Sequence, residues 1–117
     1  MSERAWSEGS ARSWGGTLAA LSWPFHAPPN VLVFTTWKIL REERPILLVS
    51  HDADDGAWQF LDGLGEPDIR DAAMVLLVNM TKLDATVMEL ADLPEGWVAC
   101  REARGKTWVR RRRGSGI

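Results

Sequence analysis

The chain has 117 residues, a formal net charge of −2, and 45% hydrophobic and 26% charged residues. That is the length of one domain, and area scaling removes about two-thirds of its surface from water on folding, enough for a core without staples. The charged fraction is too ordinary for compositional disorder, the acidic balance lacks the basic excess of a dedicated nucleic-acid binder, and the single cysteine, Cys100, excludes an intrachain disulfide and a zinc site built on several thiolates.

The chain begins without the basic start and apolar stretch of a secretory signal, and no apolar run approaches the ~20 residues of a spanning helix. The expectation is a cytoplasmic protein with no membrane partner. Aromatic usage is skewed to seven tryptophans and three phenylalanines, with no tyrosine. Most of these tryptophans are expected in the core, although tryptophan also marks binding hot spots.

Residues 1–16 are rich in Ser, Gly, Arg and Glu, without a period of 2 or 3.6, and read as a mobile arm carrying Trp6 and Trp14. A short helix over residues 17–23 fits the apolar spacing. Pro24, Pro28 and Pro29 then point to an extended linker. The division expected is an arm and linker over residues 1–29, one domain over 30–110, and a basic, Gly-bearing tail over 111–117.

Residues 31–35 are β-branched and aromatic and predict a first strand, followed by a short connector from Trp37. Pro45 opens a second strand over residues 46–50. An acidic turn, Asp52-Ala53-Asp54-Asp55-Gly56, leads to a third over residues 58–61, with Trp58 and Phe60 on one face. Residues 62–68 are loop. Residues 74–78 are apolar throughout and predict a central strand buried on both sides.

A helix over residues 81–93 follows, with Thr81 as its cap and Asp84 three residues on; Leu83, Val87 and Leu90 or Ala91 form its apolar stripe. Pro94 and Gly96 stop it. Residues 97–102 and 107–109 predict a closing hairpin about Arg104-Gly105, with Arg110 to Arg113 as a solvated tail. The fold class is therefore α+β: a mainly antiparallel sheet of about six strands with one main helix on one face. An exposed strand edge could pair two copies, but which strand forms that edge is not legible here.

The common chemical motifs fail residue by residue. Counted from Asp52, an EF-hand would need an oxygen ligand at Gly56 and a glutamate at Gly63. Gly63-Leu64-Gly65 lacks a third glycine, and neither a phosphate-binding loop nor a two-histidine metalloprotease helix occurs. No metal and no cofactor are implied. His51 beside Asp52 or Asp54 could act as a general base, and a set of Cys100, His51 and an aspartate is conceivable, without a nucleophile signature around Cys100. Arg110 to Arg113, with Trp108 nearby, are the one basic cluster and fit single-stranded nucleic acid or an acidic protein partner; the negative overall charge argues against the former.

Two blocks carry a family likeness. One is Pro45-Ile46, His51-Asp52, Asp55-Gly56 and Trp58-Gln59-Phe60-Leu61 ending in Gly63. The other runs from Leu93-Pro94-Glu95-Gly96-Trp97 to Glu102, followed by Trp108. From Val31 to Val109 the chain resembles a family of small bacterial domains of unknown function, some found among toxin-immunity proteins. The resemblance implies a strand-rich α+β fold and a protein-binding role, and it supplies no catalytic residue.

The leading expectation is thus a non-enzymatic protein-binding domain, with an immunity-type protein as its particular form. Its candidate binding residues are His51, Asp52, Asp54, Asp55, Trp58 and Trp108. A small enzyme or ligand-binding domain using His51 and the neighbouring aspartates is the alternative, and nucleic-acid binding through the arginines the weaker one.

Overall fold

The computed structural model describes residues 23–113. The expected arm with Trp6 and Trp14, nearly all of the expected helix over residues 17–23, and the last four residues lie outside them. The described strands are β1 (Leu32–Thr36), β2 (Leu48–His51), β3 (Trp58–Leu61), β4 (Ala72–Leu76), β5 (Trp97–Cys100) and β6 (Val109–Arg112). Two short helices, α1 (Trp37–Leu40) and α2 (Leu77–Leu83), follow directly on β1 and β4.

All six strands form one sheet in the order β4-β1-β3-β2-β5-β6. The class is α+β, but the sheet is mixed where a mainly antiparallel one was expected. β1 lies parallel to β3, with Phe34 opposite Gln59, while the other four pairings are antiparallel. The parallel pair arises because β1 passes into α1, and the chain returns to the sheet through β2 before β3 docks on β1. Thr36 makes that exit sharp: still extended, it accepts the Ile39 N–H on its hydroxyl and caps α1.

Strand alternation sorts the sheet residues onto two faces. Val33, Val49, Trp58, Phe60 and Ala99 point to one side and meet Ile39 of α1, Leu77 and Met80 of α2, and Val87, Leu90 and Leu93 beyond it. This is the core. Trp58 and Phe60 lie side by side in it, as their spacing predicts.

The expected helix over residues 81–93 is not formed as one element. Thr81 lies inside α2, where its hydroxyl donates back to the Val78 carbonyl at 2.7 Å. Asp84 ends α2 in an extended conformation and starts a separate 3-10 stretch, Ala85–Leu90, by accepting the Thr86 N–H. The apolar stripe still marks buried residues, Val87 and Leu90, but Asp84 interrupts the helix, its carboxylate capping the 3-10 stretch and pairing with Arg101.

Two further expectations are corrected. The apolar run at residues 74–78 is not a central strand: β4 is an edge strand, and Leu77 and Val78 already belong to α2. Arg110 to Arg112 are not a tail either but β6, paired with Ala99, Val98 and Trp97; Arg113 continues the ladder through its N–H to the Gly96 carbonyl.

The packed unit also reaches back past Asn30. Phe25 is buried, edge-on to Trp58 with ring centroids 5.3 Å apart, and Trp23 packs against it while donating to the Ala27 carbonyl. The Pro29 carbonyl accepts the Val78 N–H, so the proline-rich stretch is tied to α2.

Candidate binding face

The acidic turn is built by its own backbone. Asp52 and Ala57 close it, with the Asp52 N–H donating to the Ala57 carbonyl at 2.8 Å and the Gly56 N–H returning to the Asp52 carbonyl. Gly56 sits at φ +72°, where a side chain is strained. Asp55 accepts the Ala57 N–H and braces the turn, and Asp54 is exposed.

Asp52 is the centre of a polar network. Its carboxylate accepts from Gln59 at 2.7 Å, from the Ser50 hydroxyl at 2.5 Å and from the Arg113 guanidinium at 3.2 Å; Arg113 also donates to Ser50. Ser50 and Gln59 face each other across β2 and β3, on the side away from the core. Asp52 to Asp55, Gln59 and Arg113 line a shallow cleft of about 380 Å³.

His51 and Trp58 lie on the opposite face. The His51 ring stacks on the buried Trp58 with centroids 3.9 Å apart, and its Nδ1–H donates to the Leu93 carbonyl at 2.7 Å. The ring therefore holds β2 to the segment after the 3-10 stretch. Cys100 pairs with Leu48, three positions along β2 from His51, on the other face and roughly 10 Å away. The conceivable set of Cys100, His51 and an aspartate is thus not assembled.

Trp108 is separate from both. It is half-buried, donates to the Thr86 carbonyl, and carries the Arg101 guanidinium 4.1 Å above its ring. Arg101 is enclosed, with its side chain 0% exposed: it donates to Asp84 at 2.7 Å, to the Thr86 hydroxyl and twice to the Ile46 carbonyl. The six candidate residues thus divide among a turn, a core contact and a buried ion pair. Among the described residues no group of three or more His, Cys, Asp or Glu is placed to hold a metal ion.

Burial alone would raise the Asp84 carboxyl pKa, but hydrogen bonds from Thr86 and Arg101 outweigh it and hold it below its usual value. A carboxylate lowered by folding stabilises the domain above its unfolded pKa, and that contribution is lost as pH falls through the folded value. Denaturation midpoints are therefore expected to fall on acidification below about pH 4, and Asp84→Asn to flatten that fall. A denaturant series at stepped pH checks both.

The face that the motifs did not single out is the open side of the sheet. Leu32, Phe34, Met74 and Leu76 point there and are 55%, 40%, 61% and 36% exposed. Among the described residues no helix covers them; the loop before β4 only borders them. Phe34, Leu61, Pro67, Ile69 and Ala72 line a groove of about 180 Å³ between that loop and the sheet, with Gln59 at its polar end. An uncovered antiparallel face ordinarily alternates to polar residues, and β1 and β4 do not.

The arginine cluster is divided as well. Arg110 reaches Asp92 and the Glu89 carbonyl, Arg113 joins the Asp52 network, and Arg101 is buried. No family model matches the chain, and no curated protein or solved structure matches it. No helix among the described residues is long and apolar enough to cross a membrane.

Proposed function

We propose that this is a non-enzymatic protein-binding domain whose open sheet face receives the partner. The observation that carries this reading is the contiguous apolar strip of Leu32, Phe34, Met74 and Leu76, uncovered among the described residues, beside the Asp52–Arg113 network. An exposed apolar patch rimmed by polar groups marks an interaction surface. The groove beside Phe34 is smaller than the roughly 300–1,000 Å³ of small-molecule sites. It suits one large apolar side chain of a protein, the usual form of an interface anchor. The charged network supplies orientation at the strip's edge.

An immunity-type protein, which acts by covering another protein's surface, is the particular form the family resemblance favours. His51, Trp58 and Trp108 are contributors to the scaffold in this reading, and Asp52 is the one candidate that borders the binding strip.

Phe34→Asp tests the proposal. Because Phe34 lies outside the core, the variant is expected to fold, at a cost of about 1–2 kcal/mol on this interior strand. A partner that co-purifies with the native chain from its own cells is expected to be lost with the variant and retained by Arg41→Glu. Equal retention by Phe34→Asp would overturn the reading.

A further inference from the structure

We infer that the free edge of β4 pairs with a second copy of this chain, antiparallel, about a two-fold axis at Met74. This goes beyond the binding role of the open face and stands on different groups, the backbone of the sheet edge.

The two sheet edges differ. β6 carries Arg110, Arg111 and Arg112, and such charges blunt an edge against pairing. β4 reads Ala-Ala-Met-Val-Leu, with no charge, proline or glycine, and an unbroken register along β1. Among the described residues nothing pairs with its outer side.

The backbone groups on that side can be assigned. The Leu77 N–H donates to the Val31 carbonyl at 2.8 Å, which fixes the parity of the β1–β4 ladder. Residues 73 and 75 then face β1, and Ala72, Met74 and Leu76 face outward. Two of the outward groups are already engaged: the Ala72 N–H donates to the Ile69 carbonyl, and the Leu76 carbonyl, at the cap position of α2, accepts the first helical bond. What remains is both groups of Met74, the Leu76 N–H and the Ala72 carbonyl.

That remainder is self-complementary. With Met74 opposite its own copy, each Met74 N–H meets the other Met74 carbonyl, and each Leu76 N–H meets the Ala72 carbonyl of the other copy. The only bonds missing from the ladder are those whose donor and acceptor are both engaged within each copy. The side chains agree, because large Leu76 falls opposite small Ala72, and Ala73 opposite Val75. The axis stands perpendicular to the sheet, so the apolar strips of both copies join on one side.

Charge exchange at residue 74 tests this by sedimentation and native mass spectrometry. The wild type is expected to be a dimer. Met74→Lys and Met74→Glu each place like charges across the axis, and each is expected to weaken the dimer at least about tenfold. Mixed, the two variants are expected to form a one-to-one heterodimer. Arg112→Glu, on the other edge, is expected to leave the wild-type dimer intact. Met74 is largely exposed, so denaturation midpoints that match the wild type at concentrations low enough to dissociate every dimer would show that both variants fold. A monomeric wild type, a Met74→Lys chain that still dimerises, or a mixture that stays monomeric would each overturn the inference. Partner loss in Phe34→Asp reads the open face separately.

Discussion

Replacing Arg101 with alanine is expected to destabilise the domain by about 3–5 kcal/mol, because it leaves a buried charge without its partner. Arg101 ties three separate segments: the carbonyl of Ile46 ahead of β2, Asp84 between α2 and the 3-10 stretch, and Trp108 ahead of β6. Its loss strands the Asp84 carboxylate, which is 6% exposed, and removes two bonds to the Ile46 carbonyl. Arg104 approaches Asp84 at 3.6 Å but is itself solvated and cannot replace the enclosed guanidinium. The effect is expected as a lower denaturant midpoint with an unchanged slope. Asp84→Asn, which retains an oxygen for the Thr86 N–H, is expected to cost less. The Arg101→Met and Asp84→Asn pair is expected to cost less than the sum of its single changes, since the double variant leaves no unpaired charge.

Phe25→Ala is expected to cost about 3 kcal/mol or more, a core value rather than a linker value. Phe25 packs against both Trp23 and Trp58, and its removal opens a cavity beside those two rings. If residues before Asn30 only connected an arm to the domain, the same change would cost no more than about 0.5 kcal/mol. The two outcomes are far enough apart for one equilibrium unfolding experiment to separate them.

These two residues also show what was legible in the sequence. Trp58 and Phe60 announce themselves by a two-residue spacing between turn residues, and the strand is where that pattern puts it. Phe25 does not, because it stands among prolines with no period around it, and only the long-range contact with Trp58 makes it core. The helix expected from Thr81 differs for a similar reason. Its stripe of Leu83, Val87 and Leu90 is real, but at Asp84 the chain turns extended, capping the 3-10 stretch through Thr86 and pairing with Arg101, seventeen positions away and invisible to local spacing.

β6 has four exposed residues and hence no alternation to read; pairing with β5 alone defines it. The open face was hidden by an ambiguity of another kind. Apolar residues on both faces of β1, up to Thr35, and at every position of β4 fit a strand buried on both sides equally well, and what lies on the second face is decided by what packs there. The signal was present, in that residues 31–35 and 74–78 lack a polar face. Their meaning required knowing that β4 is an edge.

The proposed binding surface is the open face and not the histidine and the acidic turn. Hydroxyl-radical footprinting of the chain inside its own cells, against the purified chain, tests it most directly. Protection of Leu32 and Phe34, with Trp37 on α1 labelled equally in both, is the expected result; both strip residues remain accessible in an edge-paired dimer, so their protection reports a partner on the face itself. Equal labelling of Leu32 and Phe34 in the two settings, with protection confined to residues 52–55, would place the partner on the acidic turn instead.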